Sequence, residues 1–149
     1  MKKHITLIRP PLITYKAAMI STPTPALGIL YLSSYLKQHG YEVTVIDSLA
    51  EGLENFESYP GENYITQGIS NEEILNKIPG HTDFIGISCM FSIGWPNDRR
   101  IIRAIHERFP QKVLFAGGEH ITAIPEYVLT DRPEIRFCIL GEGELPIIE

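Results

Sequence analysis

Along this chain, short runs of consecutive apolar residues alternate with stripes in which apolar residues recur every three or four positions, the pattern of strands alternating with helices. His4 to Arg9 is a β-branched and leucine run ended by Pro10-Pro11, which cannot continue a ladder, and it predicts a first buried strand. From Leu27 to His39, one stripe holds Leu27, Leu30, Tyr31 and Tyr35 and a second holds Ile29, Leu32 and Leu36, with Gly40 as a stop, so this segment predicts a helix. Tyr41 to Ile46 alternates into a second strand that gives way to Asp47-Ser48. Ser70 and Glu73 have the spacing of a capping box, opening a short helix that ends at Pro79-Gly80. Phe84 to Met90 predicts a third strand. Asp98 to Phe109 predicts a helix with Ile101, Ile102, Ile105 and Phe109 inward and Arg99, Arg100, Arg103 and Glu107 outward. Val113 to Ala116, a short helix from Pro125 to Leu129, and Arg136 to Leu140 complete the series. Leu49 to Gly68, rich in glycine, acids and aromatics, predicts a loop.

Five strands alternating with helices predict an α/β fold: a Rossmann-like (flavodoxin-like) five-stranded parallel sheet with helices on both faces. In such sheets ligands lie beyond the carboxyl ends of the strands, where strand order reverses. Those ends carry Arg9-Pro10-Pro11, Asp47-Ser48, Ser88-Cys89-Met90, Gly117-Gly118-Glu119-His120 and Gly141-Glu142-Gly143-Glu144.

Composition narrows the occupants. The 149 residues, 44% hydrophobic and 21% charged, fit one compact domain. Thirteen basic against eighteen acidic residues give a net charge of -5, so no basic surface is available for nucleic acid. No apolar segment reaches the roughly 20 residues of a membrane span, and the expectation is a cytoplasmic domain. Two isolated cysteines, Cys89 and Cys138, spell out neither a disulfide framework nor a metal motif.

Three common tenants of this architecture fit poorly. A dinucleotide needs free backbone N–H groups at a glycine-rich turn, yet Gly141-Glu142-Gly143 carries acids where phosphates would sit, and Pro146 removes a donor. A phospho-receiver needs acids after the first and third strands and a lysine after the fifth, where this chain has Arg9, Ser88 and Gly141. A flavin phosphate loop could use the hydroxyls of Ser21, Thr22 and Thr24, but Pro23 and Pro25 delete donors. What the ends offer is uncharged room: Gly117-Gly118 permits close approach to the backbone, Ser88 supplies one hydroxyl on the neighbouring strand, and apolar residues surround both. Such a slot suits a large apolar ring system with few hydrogen-bonding groups.

These residues resemble the cobalamin (vitamin B12) binding domain found at the N-terminus of cobalamin-dependent radical SAM enzymes. The general family pairs Ser-x-Leu at the third strand with Gly-Gly at the fourth, at similar spacing. Here Ser88-Cys89-Met90, with Met90 in place of leucine, is followed after 26 residues by Gly117-Gly118. The radical SAM branch shares the apolar helix after Pro25-Ala26-Leu27-Gly28, the Gly40-Tyr41-Glu42-Val43 segment leading to Asp47, a Gly-Gly-x-His-x-Thr pattern at Gly117, Gly118, His120 and Thr122, and a closing Gly141-Glu142-Gly143-Glu144.

The resemblance implies cofactor contacts at Pro11 and Leu12 after the first strand, Leu27 and Gly28 opening the helix, and Asp47 after the second strand. It extends them to Ser88, Met90 and Phe91 after the third, Gly117, Gly118, His120 and Thr122 after the fourth, and Gly141, Glu142 and Gly143 after the fifth. Several of these have plainer roles open to them. Ser88 could satisfy backbone groups, His120 could be an exposed loop residue, Thr122 could cap the following helix, and the two glutamates could polarise a turn.

One departure is informative. In methionine synthase and the cobalamin mutases, an Asp-x-His-x-x-Gly loop supplies a histidine to cobalt, whereas the segment from Pro10 to Gly28 contains no histidine. The resemblance therefore implies a base-off cobalamin without a histidine lower ligand, its lower face near Leu12 or Leu27. It also implies a parent enzyme, commonly a methyltransferase and in some members a catalyst of ring contraction or cyclisation, whose radical SAM barrel carries a [4Fe-4S] cluster and S-adenosylmethionine. No CxxxCxxC motif for that cluster occurs here. Residues 1–149 are then expected to be the cobalamin-binding domain alone, truncated before that barrel and not catalytic by itself. The rival reading is a flavodoxin-like regulatory or interaction domain without a corrinoid.

Overall fold

A computed structural model describes residues 2–15 and 23–148 of the chain. Five parallel strands form the main sheet: β1 (His4–Arg9), β3 (Glu42–Asp47), β6 (Phe84–Ser88), β7 (Val113–Gly117) and β8 (Ile135–Ile139), in the order β3-β1-β6-β7-β8. The predicted architecture is therefore present, and strand order reverses between β1 and β6. Side chains alternate across the sheet as strand geometry requires. Ile5, Leu7 and Phe115 face α1 (Leu27–Gln38) on one side. Ile8, Ile85, Ile87, Leu114 and Ala116 face the other. That second face is covered by α3 (Asn71–Lys77), α4 (Trp95–Arg108), α5 (Glu119–Ala123) and α6 (Pro125–Asp131).

Local chemistry accounts for the helix starts. Ser70 Oγ accepts from Glu73 N–H at 3.2 Å, and the Glu73 carboxylate accepts from Ser70 N–H at 2.8 Å, so both arms of the capping box form. These bonds hold the Glu73 carboxyl below its usual range. The helix expected from Asp98 begins at Trp95 instead, because Pro96 is well tolerated in a first turn, where its missing N–H has no helical partner. Ser92–Gly94 forms a 3₁₀ turn leading into it. The third strand stops at Ser88 rather than Met90.

The segment expected to be a loop is structured. Asp47 caps α2 (Ser48–Glu51), accepting from Ala50 N–H at 3.1 Å. Beyond it, β4 (Phe56–Ser58) and β5 (Tyr64–Gln67) pair with β2 (Leu12–Tyr15) in a three-stranded antiparallel sheet ordered β2-β5-β4. Glycines lock this sheet to the ends of the main strands. A Cβ on Gly68 would stand 2.7 Å from the Ser48 carbonyl oxygen, and one on Gly52 would stand 2.5 Å from Gly68 backbone. Arg100, expected to point outward, instead clamps the small sheet to α4: it donates to Tyr64 Oη at 2.6 Å, pairs with Glu62 and lies over the Tyr59 ring. Arg99 is also half-buried, bonded to Asp131 at 2.9 Å.

Candidate functional site

At the strand-order reversal, the chain leaves β1 and β6 in different directions and opens a cleft of about 280 Å³. Three segments wall it: Arg9–Ile13 after β1, Thr24–Ile29 entering α1, and Ser88, Met90, Phe91, Ile93 and Gly94 after β6. Asp98, in the first turn of α4, completes the lining. The walls are chiefly apolar. Pro10, Pro11 and Pro25 offer no N–H donors there. Arg9 donates to the Thr24 carbonyl at 2.8 Å and pairs with Asp47 at 3.4 Å, so its charge is directed to the chain itself.

Around the mouth, large apolar side chains stand in solvent: Leu27 is 71% exposed, Phe91 61%, and Met90 and Ile93 are also exposed. A contiguous apolar surface at a cleft mouth marks an interaction site. The enclosed volume falls just below the roughly 300–1,000 Å³ of pockets for drug-sized ligands. It can take a flat aromatic ring, while a larger macrocycle would lie across the exposed mouth.

Of the residues proposed from sequence, Pro11, Leu12, Leu27, Gly28, Ser88, Met90 and Phe91 come together here. The others lie elsewhere. Asp47 caps α2. Ser88 pairs in register with Gly117, but the glycine pair does not floor an open slot. Gly118 has φ +110°, and a Cβ on it would lie 2.5 Å from the Cys89 carbonyl oxygen. Its freedom is spent on packing the chain after β7 against the chain after β6, with His120 N–H donating to that same carbonyl at 3.2 Å. A Cβ on Gly117 would come into ordinary contact with Ile139 of β8 at 3.5 Å.

His120 is buried rather than exposed on a loop. Its Nδ1 lies 2.9 Å from Ser92 Oγ, its ring packs on Trp95 at 4.8 Å, and burial lowers its pKa. Thr122 caps no helix; it sits within α5 and its Oγ1 accepts from Gly141 N–H at 3.0 Å. Gly141 takes φ +64°, Glu142 is exposed, and Gly143 packs on Leu32. Together these contacts brace the β7 and β8 ends. The flavin-loop hydroxyls Ser21 and Thr22 lie outside the described residues.

Sequence reasoning missed Asp98 as a lining residue. The signal was present: Asp98 shares the helical stripe of Ile101, Ile102 and Ile105, and an acid on an apolar stripe is buried unless the helix starts after it.

The B12 binding domain family matches residues 17–149. The chain belongs to that family. Over 127 residues it is 31% identical to cytidylyl-2-hydroxyethylphosphonate methyltransferase of Streptomyces wedmorensis, covering 84% of this chain and 24% of that protein. It is 29% identical over 146 residues to an uncharacterized methyltransferase of Pyrococcus horikoshii, covering 97% of this chain and 28% of that one. It is 26% identical over 147 residues to the anaerobic magnesium-protoporphyrin IX monomethyl ester cyclase of a Synechocystis species, covering 97% and 26% respectively. The chain thus spans about a quarter of the length of these relatives.

The residues present suit a B12 domain. The cleft has room for a flat ring and its mouth is apolar, features compatible with a corrinoid and its nucleotide. No helix among the described residues is long and apolar enough to cross a membrane.

Proposed function

We propose that this domain holds the cobalamin of a cytoplasmic radical SAM methyltransferase in a base-off form with no histidine beneath the cobalt. The observation that carries this reading is the cleft at the β1–β6 reversal, which has no histidine among the described residues of its lining and whose mouth presents Leu27, Met90 and Phe91. Nor does the whole segment from Pro10 to Gly28 contain one. His120 is turned inward against Trp95 and Ser92.

In this reading, the walls from Arg9 to Ile13 and from Thr24 to Ile29 receive the nucleotide tail, with Ser88 offering a hydroxyl at the entrance. Leu27, Met90 and Phe91 support the macrocycle and exclude water from its lower face. When bound, the cofactor supplies the methyl-transfer chemistry, and the protein contributes placement and electronics. Leaving the lower face without a strong nitrogen donor changes the cobalt potential, as axial ligands do in other macrocycles. The [4Fe-4S] cluster and S-adenosylmethionine belong to a barrel domain of the parent enzyme. Methyl transfer is favoured over cyclisation because the relatives at 31% and 29% identity are both named methyltransferases.

The test is to mix the protein with hydroxocobalamin, remove free cofactor by desalting and record the visible spectrum, then reduce to cobalt(II) for electron paramagnetic resonance. Retained corrin bands without axial nitrogen splitting are the expected result. Nitrogen splitting would reject the axial assignment and keep the cofactor. Loss of all corrin bands would favour a domain that binds no corrinoid.

A further inference from the structure

The apolar stripe of α4 is interrupted by one acid. Asp98 is 3% exposed and lies on the face that buries Ile101, Ile102 and Ile105. No ion pair reaches it among the described residues. A carboxylate in such a place loses its hydration, which drives a buried carboxyl to keep its proton. Burial, opposed only by a hydrogen bond from the Cys89 thiol, pushes Asp98 up to about 8. Cys89 is itself held well above its usual range by burial and by Asp98, so it stays a thiol.

The carboxyl is nonetheless within reach of the cleft. It stands behind Gly94, where a Cβ would lie 3.3 Å and 3.7 Å from its two oxygens, and both residues line the cavity. Gly94 places no side chain between the carboxyl and the cleft. Among the described residues no side-chain hydrogen bond other than that of the Cys89 thiol reaches the carboxyl, which leaves its second oxygen able to carry a proton toward the cleft.

We propose that Asp98 is a positioning residue for the cofactor tail, donating its carboxylic proton to the ring nitrogen that a benzimidazole frees when it leaves the cobalt. This rests on the corrinoid reading above and adds a protein group that favours the base-off form. A hydrogen bond given to the displaced base lowers the energy of the displaced state and does nothing for the cobalt-bound one, so it shifts the balance between them.

Among the described residues the titratable groups nearby are few. Cys89 faces Asp98 from the end of β6, with Cys138 of β8 beyond it. Arg9 from β1 lines the same cleft and is paired with Asp47. On α4 itself Arg99 turns to Asp131, and His120 of α5 bonds to Ser92.

The experiment measures binding of methylcobalamin and of methylcobinamide, which has no nucleotide tail, to the unaltered protein, Asp98→Asn and Asp98→Leu at pH 6.5 and 9.5. Neither corrinoid's axial set titrates in this interval. For the unaltered protein, methylcobalamin affinity is expected to fall tenfold or more at the higher pH, while methylcobinamide affinity stays level. Asp98→Asn retains a donor without an ionisable proton and is expected to bind equally at both pH values. Asp98→Leu is expected to lose tenfold or more for methylcobalamin at pH 6.5 and nothing for methylcobinamide. If Leu disturbs folding, the flat pH profile of the Asn variant still decides. Affinities indifferent to pH, or losses equal for the two corrinoids, overturn the Asp98 assignment and leave the cofactor reading intact. No uptake of either corrinoid by the unaltered protein overturns both.

Discussion

The two gaps flanking β6 look alike in sequence and differ in the fold. Toward β7, Ser88 sits beside Gly117 and the chain closes on itself, Gly118 against the Cys89 carbonyl at a separation no side chain could share. Toward β1, the same strand end borders an open apolar cleft. The difference lies in connectivity. Chains leaving β6 and β7 cross the same face and pack on one another, whereas those leaving β1 and β6 go to opposite faces and part. Small residues therefore mark two opposite things, tight closure at Gly118 and access at Gly94.

This contrast can be broken most severely at Gly118. Gly118→Val combines a positive φ with a backbone clash and is expected to cost about 2–4 kcal/mol in urea unfolding. A variant as stable as the parent would show that the junction is not closed. Gly28→Ala on the cleft side meets nothing within 4 Å and is expected to leave stability unchanged or slightly raised.

The open side is sharpened by Leu27→Glu. Because Leu27 is 71% exposed, unfolding should move by no more than about 0.5 kcal/mol. Corrinoid affinity should nonetheless fall by about tenfold or more, from the roughly 1.5–3 kcal/mol of burying a leucine. Undiminished affinity in a titration would remove Leu27 from the mouth.

Asp98 gives the cleft a pH signature even without a ligand. Its folded pKa of about 8 lies above the ordinary 3.8, so between these values the folded state holds a proton that the unfolded state has released. The stability owed to Asp98 therefore falls as pH rises through this window and is fully lost above about 8, where the raised thiol of Cys89 begins to add a further fall of the same sign. His4 and His120, both held below the usual 6.5 chiefly by burial, act oppositely as pH drops through that value, so the fall toward 8 is the part owed to Asp98. Asp98→Asn should flatten the slope; an unchanged slope would place the proton elsewhere.

On the closed side, Thr122→Val deletes the bond from Gly141 and should cost about 0.5–1.5 kcal/mol, visible as a lower midpoint. Its corrinoid affinity should be unchanged, since Thr122 braces the closed side; a selective loss of binding would move the site toward β8.

The parallel sheet was legible from residues such as Ile5, Leu7 and Ile8, because consecutive apolar positions report burial on both faces whatever the connectivity. The helix from Asn71 was legible for a local reason too, since its capping box lies within four residues. The small sheet was not. β2 follows two prolines, β5 pairs with it across some fifty intervening residues, and neither strand carries a local sign of its partner. Arg100 was misassigned for the same reason, because the surface it clamps comes from that distant pairing.

At the site, sequence determined the chemistry of the strand ends: prolines and apolar residues after the first strand, a hydroxyl at Ser88 and no histidine between Pro10 and Gly28. Only the tertiary structure decided which ends share a cavity. The spacing of Ser88 and Gly117 fixes that they pair, but whether the space beside them is filled depends on the face each following helix takes. That choice placed Gly118 in a closed junction and turned Asp98 toward the cleft, and it is settled by packing across the whole sheet, which no short stretch of residues encodes.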